Sequence, residues 1–246
     1  MAQYTFARTE RKYLLAASVY EAFKKDVEQY IDPDGKYPVY TLCNVYYDNE
    51  TWELARRSVE KPIFKEKLRV RSYGTANPDT KVYIEAKSKY KGTVYKRRIG
   101  MPHSEVSPFL ENKELPANAS QIAKELHYFA HLFHLKPKVF LAYDRIAYVG
   151  RDDKSFRLTF DYNIRYRLDR LSLAEGDDGT PLITDGTVIM EVKAQSALPR
   201  FFLDLLAKYS IIPGSFSKYG KVYERSYNYN YTEDNTYARK HLQDVH

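Results

Sequence analysis

Most of the chain consists of runs in which apolar and charged residues alternate. On a strand, side chains two apart share a face. The alternation therefore predicts strands over about residues 4–14, 39–48, 63–72, 80–89, 93–101, 137–149, 155–167, 187–195 and 218–227. Between these runs the apolar spacing becomes helical. Ser18 is expected to cap a helix running to about Tyr30, and Asp48 or Asn49 one through Trp52, Leu54 and Ala55. Ser120 heads a run carrying Ile122, Ala123, Leu126, Phe129, Ala130 and Phe133. From Ala197 to Tyr209, Phe201, Phe202, Leu205 and Leu206 form one stripe. Turns are expected at Asp32-Pro33-Asp34-Gly35, Asn77-Pro78-Asp79 and Asp177-Asp178-Gly179, and a hairpin closes near Tyr90-Lys91-Gly92. Many antiparallel strands with a few helices predict an α+β protein: a closed antiparallel β-barrel with helices packed on its outside. Without an internal repeat or a long Pro/Gly/Ser linker, residues 1–246 are expected to form a single domain. The Tyr-rich tail from about 227 to 246 has too little aliphatic content to assign.

The charges fall on particular faces of these strands. In Lys65-Glu66-Lys67-Leu68-Arg69-Val70-Arg71, one face carries Lys65, Lys67, Arg69 and Arg71, and the other Glu66, Leu68 and Val70. Like charges along one face repel, which costs stability unless an anion fills the space. The pattern recurs in Arg8, Glu10 and Lys12, in Glu85 and Lys87, and in Lys96 and Arg98. It recurs again in Arg157, Thr159 and Asp161, and in Glu191 and Lys193. A solvated sheet face usually mixes signs with Thr, Ser and Gln. Repeated cationic faces turned inward would line a deep basic tunnel. The scattered acids Glu10, Glu85, Asp161 and Glu191 are either charge balance or oxygen ligands for Mg²⁺ or Mn²⁺.

Composition narrows the partner without choosing it. Hydrophobic residues make up 43% and charged residues 29%, a globular and not a disordered profile. The net charge of +7 favours an anionic ligand. Cys43 is the only cysteine, so an internal disulfide and a cysteine-based zinc site are excluded. The first residues lack a basic segment followed by an apolar one, and no apolar run approaches membrane-spanning length. A cytoplasmic protein with no membrane span is expected, and a membrane role would need a partner or another polypeptide. His127, His131 and His134 share a helical face, but their apolar neighbours favour packing over metal binding. There is no glycine-rich phosphate loop and no kinase signature. A nucleic-acid partner is not expected, because the cations sit opposite apolar strand faces and are not interleaved with aromatics on an exposed one.

Several segments, in order, resemble the polyphosphate polymerase domain of the vacuolar transporter chaperone family. They are Thr9-Glu10-Arg11-Lys12-Tyr13, Glu66-Lys67-Leu68-Arg69-Val70-Arg71-Ser72-Tyr73-Gly74, Tyr83-Ile84-Glu85-Ala86-Lys87 and Lys91-Gly92-Thr93-Val94-Tyr95-Lys96-Arg97-Arg98. Tyr143-Asp144-Arg145, Arg157-Leu158-Thr159-Phe160-Asp161, Met190-Glu191-Val192-Lys193 and Ser217-Lys218-Tyr219 complete the set. That domain belongs to the triphosphate tunnel metalloenzymes, or CYTH proteins, whose fold is a closed β-barrel around a basic tunnel. The resemblance implies transfer of the γ-phosphoryl group of ATP onto inorganic polyphosphate with Mn²⁺ or Mg²⁺. It implies that Lys12, Arg69, Arg71, Arg145, Arg157 and Lys218 act on the reacting phosphates, with Lys87, Lys96 and Arg98 among the phosphate ligands. The strand pattern adds Lys67 and Lys193 to these ligands. Glu191 matches the metal-holding glutamate, with Glu10 beside it as a second candidate. Two departures stand out. The first glutamate of the tunnel signature is Arg8 here, which weakens a hydrolase, and a family lysine near the last strand is Ser215. A tunnel triphosphatase and a non-catalytic polyphosphate-binding module remain the alternatives.

Overall fold

The computed structural model describes residues 9–35, 39–60, 62–91, 93–112, 115–195 and 197–226. Arg8, the other residues before Thr9 and the tail from 227 lie outside this set. The alternating runs assemble into one ten-stranded antiparallel sheet. Its path runs β1 (Thr9–Leu15), β10 (Val188–Ala194), β8 (Arg157–Arg167), β7 (Lys136–Gly150), β3 (Val39–Asp48), β4 (Phe64–Tyr73), β5 (Lys81–Tyr90), β6 (Thr93–Pro102). Two short strands escape the alternation pattern. Thr180–Pro181 (β9) pairs with β8, and Ile31–Pro33 (β2) pairs with β7. Asp32 and Pro33 are therefore extended, and the expected turn begins only at Asp34-Gly35, where Gly35 has a φ of 103°.

The apolar strand faces point outward into two helical layers. Helices α1 (Ala17–Val27) and α5 (Arg200–Lys208) cover β1, β10 and β8. Phe23 and Phe202 meet Tyr13, Phe156, Phe160 and Met190 there. Helices α3 (Val106–Glu111) and α4 (Gln121–Leu132) cover β4 and β5, placing Leu110, Leu126 and Phe129 against Leu68, Val70, Val82 and Ile84. Each such side chain contributes roughly 1.5–3 kcal/mol when fully buried. Ser120 caps α4 as expected, its Oγ accepting from the Ala123 N–H at 3.2 Å. Ser18 does not cap α1. It lies inside the first turn, and Ala16 holds the cap position.

The sheet curls but does not close. β1 and β6 are its two edges, and among the described residues no backbone pairing joins them, so the expected closed barrel is an open half-barrel. The free edge of β1 is met by the chain that follows α5. There the Gly214 N–H donates to the Lys12 carbonyl at 2.8 Å, where a closing strand would otherwise pair. Curvature is nevertheless strong. Lys87 on β5 reaches Glu10 on β1 at 3.2 Å, although those strands stand near opposite ends of the path. The face carrying both is therefore the concave one.

The second correction concerns residues 218–227, expected as a strand. Residues 218–226 form helix α6 on the inner face, so the helices do not all pack outside. The alternating Lys218-Tyr219-Gly220-Lys221-Val222 concealed a helical period, since buried Tyr219 and Val222 are three apart. Ser217 starts α6 by accepting the Gly220 N–H on its Oγ at 2.9 Å. Tyr219 stacks on Tyr46 of β3 with centroids 4.6 Å apart, and its hydroxyl donates to Asp48 Oδ2 at 2.5 Å.

Asp48 is fully buried at the end of β3 and serves two helices. Its carboxylate accepts the Leu54 N–H at 3.0 Å and the Ala55 N–H at 2.9 Å, opening helix α2 (Glu53–Glu60). Asn49 adds its Oδ1 to the Glu53 N–H at 3.1 Å, so both proposed caps act. A third device sets the inner face of β8. Asn163 takes a left-handed conformation (φ 49°) next to the point where pairing with β7 shifts. The irregularity lets Asp161 and Ile164 both face inward, which strict alternation forbids.

Asp48→Ala should lower stability by roughly 2–4 kcal/mol, since it removes a helix cap and the acceptor of a buried hydroxyl. In urea unfolding, Tyr219→Phe should cost less in the Asp48→Ala background than alone. Equal costs in both backgrounds would show that the Asp48–Tyr219 bond does not tie α6 to the sheet.

Candidate functional site

Strand register arranges the inner-face charges in transverse rows. Lys67, Lys87 and Lys96 form one row across β4, β5 and β6, and Arg69, Glu85 and Arg98 form the next. On the opposite wall, Lys12 stands against Glu191 and Thr159, and Glu10 against Lys193 and Arg157, across β1, β10 and β8. Arg145 on β7 faces Asp161 on β8. These rows bring together the sequence-predicted residues. Glu10, Lys87, Lys96, Arg98 and Arg157 are exposed to the open side of the groove, with Arg157 at the rim 3.4 Å from Asp34.

Two buried carboxylates, Glu85 and Asp161, and the half-buried Glu191 hold this charge in place. Glu85 is 2% exposed and receives Arg69 at 2.8 Å, Lys96 at 2.7 Å, Arg98 at 3.5 Å and Arg71 at 3.8 Å. Burial opposes its ionisation, but the Arg69 and Arg71 guanidiniums outweigh that and hold its carboxyl down to about 2. Asp161, wholly buried, takes a forked pair of bonds from Arg145 at 2.6 and 2.8 Å, and Lys218 of α6 at 2.6 Å. Against the same burial penalty, Lys218 and Arg145 keep it below the usual carboxylate range. Glu191 pairs with Lys193 at 2.8 Å and lies 3.8 Å from Lys12. Burial again works against its charge, and Lys193, Lys12 and Arg145 again prevail.

Neutral groups that the charge pattern did not single out complete the floor. Arg69 donates to the Tyr46 hydroxyl at 3.1 Å, and Arg71 to Asn44 Oδ1 at 3.1 Å and the Tyr143 hydroxyl at 3.4 Å. Lys218 lies 4.3 Å over the Tyr143 ring. Burial raises the Tyr143 pKa, but Arg71 and Arg145 bring it down to about 8. The signal for Tyr143 was present, since it shares a strand face with Arg145 two residues on. Asn44 and Tyr46 carried no such signal, because their role depends on which strand β3 pairs with.

Lys67 differs from the other groove cations. Its Nζ donates to Ser217 Oγ, the cap of α6, at 2.9 Å, and no carboxylate lies within ion-pair distance of it among the described residues. Lys87 stands directly opposite in the register. Burial is the main cause that pushes the Lys67 pKa down to about 7, with Lys12, Lys65, Lys87 and Arg69 adding repulsion. Lys12 donates to the Phe216 carbonyl at 3.2 Å, and burial lowers its pKa too.

Among the described residues, no three His, Cys, Asp or Glu side chains gather into a metal cage. His127 and His131 on α4 bond instead to the carbonyls of Asn112 and His127. Glu85 and Asp161 are engaged by cations on all sides. Glu191 and Glu10 both bear on the Lys12 ammonium, each with a lysine as its present partner. A Mg²⁺-type ion commonly takes one or two carboxylates and completes its shell with phosphate oxygens and water. This donor set fits an ion held jointly with a bound anion, not one caged by protein alone.

The profile of the VTC domain family matches residues 7–227. No curated protein matches the chain. Among solved structures, a Hippeastrum protein, described as a candidate adenylyl cyclase with a dominant triphosphatase activity, superposes with a TM-score of 0.51. It is 14% identical, with 85% of this chain and 92% of that one covered. A Vibrio parahaemolyticus protein described as a candidate adenylate cyclase gives a TM-score of 0.46 at 12% identity, covering 89% of this chain and 99% of that one. At these identities the Hippeastrum likeness is one of fold.

A bound polyanion stabilises the Lys67 ammonium and raises its pKa, so binding above pH 7 takes up a proton. Tripolyphosphate affinity should therefore fall as pH rises from about 7 to about 9. Lys67→Arg, which stays charged, should show a distinctly shallower fall in calorimetric titrations. Parallel pH profiles in the two proteins would remove Lys67 from the binding equilibrium. In the empty protein the ammonium costs stability, fully below pH 7 and progressively less toward the ordinary lysine value of 10.5.

Proposed function

The chain belongs to the VTC domain family, and from that premise we propose that it transfers the γ-phosphoryl group of ATP onto inorganic polyphosphate within the basic groove. The observation that carries this reading is the excess of cations over carboxylates along one concave face. Glu85 and Asp161 fix the geometry of guanidiniums and Glu191 pairs with lysines, yet together they leave the concave face net positive. Such a surface fits a ligand with a charge at every repeat and no apolar body.

Phosphoryl transfer has a loose transition state with charge spread over equatorial oxygens, so catalysis rests on positioning and electrostatics. In this reading Arg69 and Arg145, oriented by carboxylates, and Arg71, oriented by Asn44 and Tyr143, offer planar forks to phosphate oxygens. Lys12, Lys87, Lys96, Arg98 and Lys193 line the walls as ligands for the chain, and Arg157 guards the rim. Lys218 closes the groove from α6. The attacking terminal phosphate oxygen is already ionised. The bond between it and the γ-phosphorus forms as the bond to ADP breaks, and no protein base is required. Glu191, with Glu10, would hold Mn²⁺ or Mg²⁺, which when bound neutralises charge on the phosphate oxygens.

Hydrolysis of a triphosphate is the second reading, and Tyr143 favours it. With its pKa brought down to about 8, Tyr143 is partly phenolate near neutral pH, and that phenolate oxygen would take the proton of a water attacking the terminal phosphorus.

Incubation with ATP and Mn²⁺ or Mg²⁺, with and without a short polyphosphate primer, distinguishes these by phosphorus NMR. Long chains with ADP are expected. Free phosphate without chains would replace polymerase by hydrolase, and tight polyphosphate binding without turnover would leave a binding module. Arg69→Ala should reduce turnover at least about a hundredfold. Its unfolding midpoint should stay near that of the unaltered protein, because Glu85 retains Arg71, Lys96 and Arg98. Loss of folding with undiminished specific activity would make Arg69 structural.

A further inference from the structure

A pocket of about 450 Å³ opens between β1, the chain after β9, Phe216 and the later turns of α6. Its character differs from the groove beside it. Leu14, Leu182, Ile183 and Phe216 supply apolar walls. Its charged groups balance: Lys221 pairs with Glu224 at 2.6 Å, while one arginine and one aspartate remain, each tied to backbone. Arg225 donates to the Pro181 carbonyl at 2.8 Å, and Asp185 Oδ1 accepts the Thr187 N–H at 2.9 Å.

Two residues of its lining, Leu14 and Phe216, place the pocket beside the cation rows. Leu14 lies on the same face of β1 as Glu10 and Lys12, two residues beyond Lys12, or about 7 Å along the strand. It is 44% exposed, an open leucine at the end of a charged row. Phe216, on the opposite wall, accepts the Lys12 ammonium on its carbonyl at 3.2 Å. A phosphate held by Lys12 would thus sit one residue from an aromatic and aliphatic cleft with no net charge. A bare polyphosphate gains nothing from such a cleft. A ligand that carries a neutral, flat group at the end of a phosphate chain gains on both.

We infer that this pocket is the nucleoside subsite, holding the base and ribose of a nucleoside triphosphate while the cation rows hold its phosphates. The inference rests on the phosphate reading of the groove and extends it by naming which mouth the nucleoside occupies. It makes the groove polar end to end: nucleoside at Leu14 and Phe216, transferred phosphate deeper among Arg69, Arg71 and Arg145.

The test compares ATP with inorganic tripolyphosphate by calorimetry, because the two share the phosphates and only one has a nucleoside. Leu14→Trp fills the pocket from an exposed position that the fold does not rely on. It should weaken ATP at least about tenfold and leave tripolyphosphate within about twofold. Phe216→Ala keeps the backbone carbonyl that meets Lys12 but removes the ring, and should weaken ATP selectively by about tenfold, on the scale of one lost aromatic contact. Equal effects on both ligands, or none on either, in both folded variants would overturn the subsite. So would tight tripolyphosphate binding by the unaltered protein with no ATP binding, which leaves the phosphate groove intact. If the unaltered protein binds neither ligand, the phosphate reading itself fails and the subsite with it.

Discussion

Crowded positive charge is the constraint from which the rest of the structure follows. Lysines and arginines from β1, β4, β5, β6, β7, β10 and α6 converge on one concave face, where like charges stand opposite one another in the register. Lys67 against Lys87 and Lys87 against Lys96 are pairs that an ordinary sheet avoids. The fold tolerates them because buried Glu85 and Asp161 and half-buried Glu191 stand among them and remain ionised. The low dielectric that penalises each carboxylate also strengthens its attraction to the guanidiniums beside it. The arrangement is rigid where carboxylates reach and unsatisfied where they do not. That division sets Lys67, whose partner among the described residues is the Ser217 hydroxyl, apart from cations held by carboxylates.

Leaving the barrel open has a structural counterpart. The strand that would close a barrel is replaced at β1 by the Gly214 bridge, and the chain then turns at Ser217 into α6 across the inner face. One segment therefore covers a sheet edge, supplies the Phe216 carbonyl to Lys12, supplies the Ser217 hydroxyl to Lys67 and delivers Lys218 to Asp161. Asp48 anchors that segment from beneath through Tyr219, while also opening α2. The helix is coupled to the site by polar contacts at its first turn and by aromatic stacking behind it.

Much of this was legible along the chain, and the reason is periodicity. Strand faces follow from a spacing of two, so the inward set Lys67, Arg69 and Arg71 with Glu85 and Lys87 could be read before any fold was known. The order of the short motifs carried the family resemblance, which the VTC domain match over residues 7–227 bears out. Where periodicity was ambiguous the reading failed. Residues 218–226 alternate superficially, but Tyr219 and Val222 bury at helical spacing.

The amino-acid sequence by itself determined the α+β class, the identity of most strands, the outward apolar faces and the cationic character of the inner face. These depend on neighbours in the chain and on side-chain chemistry alone. Only the tertiary structure decided which cations share a carboxylate, that Lys67 has none among the described residues, that the described sheet stops short of closure and that α6 lies inside it. Those outcomes depend on register between strands far apart in sequence, on a left-handed residue at Asn163 that changes which side chains face inward, and on competition between backbone partners for the edge of β1. None of these has a local signature, because each is set by the free energy of the assembled sheet.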